Sequence, residues 1–272
     1  MIRLFIFLLL IFVSGCDETP LELNNDLDPS NPDHIPPNIE SIYTTPGMVN
    51  GIINANSVTI QYEGNIEDLE FQYQLDGTEW SDWSSEPRVT LNFLDEGSHI
   101  FLVQCRYLSG EIEVNPDTLQ FEIDAIDGPS IRIFPLLTEI SNGEEFNIEI
   151  WAEEVVNVAA MEIVLRYDMQ MLEITQENIA IGDYFSQNGG SIIDFSSIEE
   201  QGDYGEITIN IGVYSGEPGS VSGSGPVISI SPTAIMNGTT DLELLDGDII
   251  LREPNNEDIE IEDAVNGKVV IE

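Results

Sequence analysis

AAMEIVLRYDMQMLEI, residues 159–174, decides how the second half of the chain reads. Side chains alternate between two sides over its first half. Met161, Ile163, Leu165 and Tyr167 share one side, and Glu162, Val164 and Arg166 share the other. Period two is the signature of a strand with one buried face. Asp168 breaks the run, and Met169, Met171, Leu172 and Ile174 form a second apolar cluster. The same alternation recurs in GEITINIGVYSG (205–216): Ile207, Ile209, Ile211 and Val213 point inward, and Thr208, Asn210 and Tyr214 point outward.

Outward from these stretches the chain keeps one character. IRIFP (131–135), EFNIEIWAE (145–153), GPVISISPTAI (225–235), TDLELLDGDII (240–250) and NGKVVIE (266–272) are short strands separated by turn residues. Upstream, SVTIQYE (57–63), LEFQYQLDG (69–77), PRVTLNF (87–93), SHIFLVQCRY (98–107) and TLQFEID (118–124) form an earlier series, with turns at Asp76-Gly77 and Ser109-Gly110. Regular short strands and no helical period predict an all-β protein of two β-sandwich domains, 39–126 and 128–272, joined by AIDGPS (125–130).

The chain has 272 residues, 51 acidic and 7 basic, for a formal charge of −44. Lys268 is its single lysine. That charge argues against nucleic acid and anionic lipid surfaces as partners, since both need cationic patches. Hydrophobic residues make up 42% of the chain, enough for two cores, so the acidity does not signal disorder. It fits a salt-adapted exported protein, a calcium-loaded surface protein or an acidic face for a basic partner.

At the N-terminus, Arg3 precedes an apolar run, Leu4–Val13, too short to span a bilayer. Val13-Ser14-Gly15-Cys16 follows and resembles the bacterial lipoprotein signal motif. The resemblance implies a signal peptide over 1–15, cleavage before Cys16, lipid on the Cys16 sulfur, and an extracytoplasmic protein anchored in a bacterial cell membrane or outer membrane. Residues 16–38, rich in Pro, Asn and Asp, read as a flexible acidic linker. NNDLDPSNPD within it lacks the Gly and bidentate Glu of a calcium loop, with Pro29 and Pro37 in those places. With Cys16 lipidated, Cys105 has no disulfide partner and reads as a buried thiol.

YQLDGTEWSDWS, LNFLDEGSHIFLVQCRYLSGEIE and LQFEI, within about 66–124, resemble a bacterial immunoglobulin or fibronectin type III module of the triple-tyrosine type. Trp80 and Trp83 read as sandwich core and rim rather than a sugar-stacking pair. NVAAMEIVLRYDMQMLEI, SGSGPVISISPTAIMNGTTDLEL and DGDII…AVNGKVVIE, from about 130 to 272, resemble the cohesins. Ala160 stands where Gly is commoner, Met169 where Pro is frequent, and Pro232 interrupts a strand. The cohesin resemblance implies a jelly-roll sandwich like that of carbohydrate-binding modules. It implies a dockerin-like protein partner held on one sheet face, and hence Glu162, Val164, Arg166, Thr208, Asn210 and Tyr214 as partner-binding residues. Those residues are otherwise ordinary solvated positions.

Trp151 lies on an outer face with Asn147, Glu149 and Glu153. It is there either to be covered by the first domain, the linker or a loop, or to stack a sugar or partner. The two histidines, His34 and His99, assemble no catalytic constellation, and no metal or phosphate motif occurs. The expectation is a non-catalytic binding or scaffold lipoprotein without a cofactor, with calcium only in the partner or at acidic loops. Direct polysaccharide binding by the second sandwich and a purely structural envelope role are the alternatives.

Overall fold

The computed structural model describes residues 26–187, 190–215 and 219–272. The signal segment, Cys16 and the chain up to residue 25 lie outside the described residues. The described chain is all-β: strands in two sandwiches, with three single-turn 3-10 helices and no helix long and apolar enough to cross a membrane.

In the first sandwich, Ile39–Thr45, Val58–Gly64 and Arg88–Leu91 form one sheet. Ile52–Ile53, Asp117–Ile123, Gly97–Tyr107 and Leu69–Leu75, in that order, form the other. The long strand Gly97–Tyr107 shows why. His99, Phe101, Val103, Cys105 and Tyr107 face inward and are buried, while the intervening residues face out. Asp76 and Gly77 both take positive φ, 50° and 75°, the backbone that an Asp-Gly hairpin turn requires. Asp76 also accepts the Ile100 N–H at 2.8 Å, which ties the turn to the neighbouring strand Gly97–Tyr107.

The second sandwich has a five-stranded sheet, in the order Ile179–Ile181, Val221–Ile230, Ile148–Val158, Ser130–Phe134, Asp263–Val265. Facing it is a larger sheet, ordered Ser191–Asp194, Tyr204–Ser215, Ala160–Asp168, Gly238–Leu244, Gly267–Ile271, Leu137–Ile140. Ser197–Gln201 adds to the outer side of Tyr204–Ser215, and Ile250–Arg252 pairs with the start of Ala160–Asp168. Leu137–Ile140 runs parallel to Gly267–Ile271, with Leu137 opposite Lys268. The core is built from Met161, Ile163, Leu165, Tyr167, Ile207, Ile209 and Ile211 on one side and Ile131, Ile133, Ile148, Ile150, Val227 and Ile228 on the other. Tyr184 and Phe185, edge to face at 5.3 Å, fill part of that core.

The sandwiches touch. Asp95 of the first accepts the Leu136 N–H of the second at 2.8 Å, and Lys268 sits 5.8 Å from the Phe93 ring. Leu136 is fully buried. Burial pushes the Asp95 carboxyl above its ordinary value, against the hydrogen bond from Leu136 and the nearby Arg132 charge.

Of the linker expected over 16–38, the structure describes residues 26–38. Residues 26–33 form consecutive turns, and 34–38 continue without a turn along the first sandwich. Asp28 accepts from the Ser30 N–H and hydroxyl at 2.9 and 2.8 Å, and Asn31 from the Asp33 N–H at 3.0 Å. Pro37 is buried, and the Ile35 carbonyl accepts from the Tyr107 hydroxyl at 2.6 Å. Asp, Asn and Ser side chains that bond to backbone two residues on make such turns locally stable, so a Pro/Asn/Asp-rich composition does not oblige the segment to be loose.

Candidate binding face

The outward side of Ala160–Asp168 and Tyr204–Ser215 is a continuous surface, because each residue faces its direct partner across the ladder. Ala160 pairs with Gly212, Glu162 with Asn210, Val164 with Thr208 and Arg166 with Glu206. Strict antiparallel register places every member of these pairs on the same side. Glu162, Thr208 and Asn210 are half-buried and Tyr214 is exposed, so the structure brings these expected residues onto one face.

Two of the expected residues behave differently. Val164 is buried, 9% exposed, and is not available on this face. The chain leaves Gly238–Leu244 at Leu245, whose N–H donates to the Val164 carbonyl at 3.0 Å. It returns at Ile250, opposite Glu162, and the turn between lies beside Val164. Arg166 is not a free cation. Its Nη2 donates to Glu206 Oε1 at 2.7 Å, its Nε to the same oxygen at 3.1 Å, and Nη1 lies 3.7 Å from Glu243. Tyr204 lies 5.8 Å from its guanidinium. The Glu206 hydrogen bonds, with both carboxylates near, hold Arg166 all the more firmly protonated. The charge on this part of the face is therefore met within the chain.

Absent from the sequence expectation is an apolar groove at the far end of the face. Ala160 and Gly212 form its floor, and Ile193, Phe195 and Tyr214 rise around it, enclosing about 260 Å³. Phe195 is 73% exposed and Tyr214 66% exposed. Ile193 is opposite Gly212, and the Phe195 N–H donates to Asn210 at 2.9 Å, so the short strand Ser191–Asp194 holds these side chains in place. The floor is flat of necessity: a Cβ on Gly212 would lie 2.7 Å from the Ala159 carbonyl oxygen. The only sequence trace of it is the short alternation of Ile193 and Phe195 between Gly190 and the Ser196-Ser197 pair. Toward the other end, a cleft of about 360 Å³ is lined by Asp168, Tyr204, Asp241, Glu243 and Arg166. Carboxylates thus border the face while aromatic and aliphatic carbons fill one end.

Trp151 belongs to the opposite sheet. It is half-buried, with side chains of its own sheet beside it. Arg132 lies 4.8 Å from its ring, Phe134 packs at 5.7 Å, and the indole N–H donates to Glu149 at 2.7 Å. Trp151 is opposite Arg132 in the ladder, so the stack follows from register.

Both histidines lie outside this face. His34 contacts Glu111 at 2.8 Å, and His99 contacts Asp76 at 2.7 Å in the first sandwich. Trp80 and Trp83 are half-buried there, with Arg106 4.3 Å from the Trp83 ring. Among the described residues no group of three His, Cys, Asp or Glu side chains is placed to hold a metal ion. Cys105 is free and buried.

No family model and no curated protein sequence matches the chain. Solved structures do. The chain is similar to a non-cellulosomal cohesin from the hyperthermophilic archaeon Archaeoglobus fulgidus, at 14% identity and a TM-score of 0.40, over 53% of this chain and 90% of that one. It is similar to a type II cohesin domain from the cellulosome of Acetivibrio cellulolyticus, at 13% identity and a TM-score of 0.43, over 52% and 94%. It is also similar to the sixth cohesin of scaffoldin B of Acetivibrio cellulolyticus, solved in complex with a dockerin, at 14% identity and a TM-score of 0.44, over 54% and 100%.

Proposed function

We propose that the protein is a non-catalytic, membrane-anchored docking protein whose second sandwich holds a protein partner on the outer face of Ala160–Asp168 and Tyr204–Ser215. The observation that carries this is the groove. Phe195 and Tyr214, both mostly exposed, flank a flat Ala160–Gly212 floor on rigid strands. Large exposed apolar groups cost solvation unless a partner covers them, and aromatics beside a polar rim are the composition of a binding hot spot. Glu162 and Asp168 lie on the same outward side of the ladder, which favours a partner with basic residues around an apolar centre. The cohesin resemblance of 130–272 makes a dockerin-like module the first candidate. Calcium belongs to that partner in this reading.

The test immobilises the chain and challenges it with calcium-loaded dockerin modules, with and without EDTA, beside a column of insoluble polysaccharide. Calcium-dependent capture that disappears in Phe195→Ser/Tyr214→Ser, at unchanged melting temperature, is the expected result. Retention on the polysaccharide alone moves the reading to direct glycan binding, and retention on neither refutes both. The anchor is tested separately: Cys16→Ser releases the protein into the soluble fraction, and persistence with the membrane removes the lipid from the account.

A further inference from the structure

Residues 26–36 are fastened to the first sandwich at three points at least. The Tyr107 hydroxyl donates to the Ile35 carbonyl at 2.6 Å, and the Asn65 amide donates to the Pro36 carbonyl at 2.8 Å. The third point is His34, and it differs in kind because it titrates. Its Nδ1 lies 2.9 Å from the Asp26 carbonyl oxygen, and its Nε2 lies 2.8 Å from Glu111 Oε1. Both partners are acceptors. A neutral imidazole carries one N–H and leaves one of these contacts as two lone pairs face to face, whereas the imidazolium satisfies both. Glu111 adds a second constraint. Its other oxygen, Oε2, is buried without a hydrogen-bond partner, so loss of the imidazolium would strand a largely buried carboxylate.

The polar groups that face His34 all favour its charged form. Glu111 comes from the turn after Gly97–Tyr107, and the Asp26 carbonyl and the Asp28 carboxylate from the segment itself. The Glu111 hydrogen bond holds His34 above its ordinary value of about 6.5, with burial opposing, and the Asp28 charge adds to the rise.

We propose that residues 26–36 are a pH-operated strap, docked on the first sandwich while His34 carries both ring protons and released when it loses one. The docked state is the one that binds the extra proton. Its advantage is therefore complete below the free histidine value and is lost as pH rises through the docked value. Release frees eleven residues, Asp26 to Pro36, which extend by about 3.5 Å each and add up to roughly 40 Å of reach before the first sandwich begins. If the chain is anchored as proposed above, the same step moves both sandwiches outward from the bilayer. The strap does not depend on that anchor.

The experiment uses the full chain, with His34→Gln as the undocked reference. The His34 ring resonance is followed by NMR and assigned by its disappearance in His34→Gln. Backbone protection of 27–36 is followed by hydrogen exchange over the same pH range. The expected midpoint lies above 6.5 in the wild type and falls toward it in Glu111→Gln. Protection in the wild type drops by up to about tenfold per pH unit between the two midpoints, as release of one proton requires, and stays flat in His34→Gln. An unshifted midpoint in Glu111→Gln, or the same course of protection in the wild type and His34→Gln, overturns the proposal.

Discussion

Arg132→Met is the sharpest probe of how the second sandwich is held together. Arg132 lies on Ser130–Phe134 and is 3% exposed. Its Nε donates to Glu153 at 2.9 Å, its guanidinium stacks on Trp151, and its Nη1 has no hydrogen-bond partner. Methionine keeps the apolar stem and removes the charge. Glu153, with a side chain 13% exposed, keeps only the Ser224 hydroxyl beside it. Removing one member of a buried ion pair costs about 3–5 kcal/mol, because the remaining charge stays desolvated. The lost stacking adds roughly 1 kcal/mol, partly offset by the sulfur against the ring. A sandwich of this size loses about 2–4 °C of melting temperature per kcal/mol, so a drop of about 10–15 °C is expected. Calorimetry on the wild type, Arg132→Met, Glu153→Gln and the double variant measures it. The double variant no longer strands the Glu153 charge, although Asp95 still loses the nearby Arg132, and should recover at least about 2 kcal/mol relative to the sum of the single losses. A loss below about 1 kcal/mol in Arg132→Met, or strict additivity, would show that Arg132 and Glu153 are not an energetic unit.

Leu165→Ala should cost about 2–5 kcal/mol, since Leu165 is fully buried in the larger core; chemical denaturation monitored by circular dichroism reads it, and a cost below about 1 kcal/mol contradicts the packing. The Cys105 thiol is pushed up to about 12, first by burial and then by the neighbouring Glu113 charge, so at pH 8 iodoacetamide should label it slowly in the folded chain and quickly in denaturant. Equal labelling rates would place the thiol at the surface. With 51 acidic residues against 7 basic ones, sodium chloride should raise the melting temperature by screening repulsion, and calcium chloride at matched ionic strength should add nothing further. A distinct calcium increment would point to a specific ion site.

Period-two alternation made the core of the second sandwich readable. Met161, Ile163, Leu165 and Tyr167, with Ile207, Ile209 and Ile211, are buried because the pleat turns every second side chain inward. What alternation cannot show is which distant segment lies against the other side. The Val164 carbonyl takes the Leu245 N–H, and Arg166 is clamped by Glu206 and Glu243, partners that only the folded ladder brings near. Ile193 and Phe195 escaped for a different reason: a four-residue strand gives too few periods to stand out from a loop. The turns at 26–33 escaped because composition reports the cost of ordering a segment and not the hydrogen bonds that offset it.

The parallel pairing of Leu137–Ile140 with Gly267–Ile271 bears on how the molecule is made. Leu137 and Lys268 are 131 positions apart by their numbers, and they must meet before the larger sheet gains this strand. A closure of that span carries a loop entropy that nearer contacts do not, and folding slows as contacts lengthen. The first sandwich closes over far shorter distances, as between Leu69 and Tyr107. It can therefore form first and present Asp95 as a ready seat for the Leu136 N–H. One domain then serves as a local template for the start of the other.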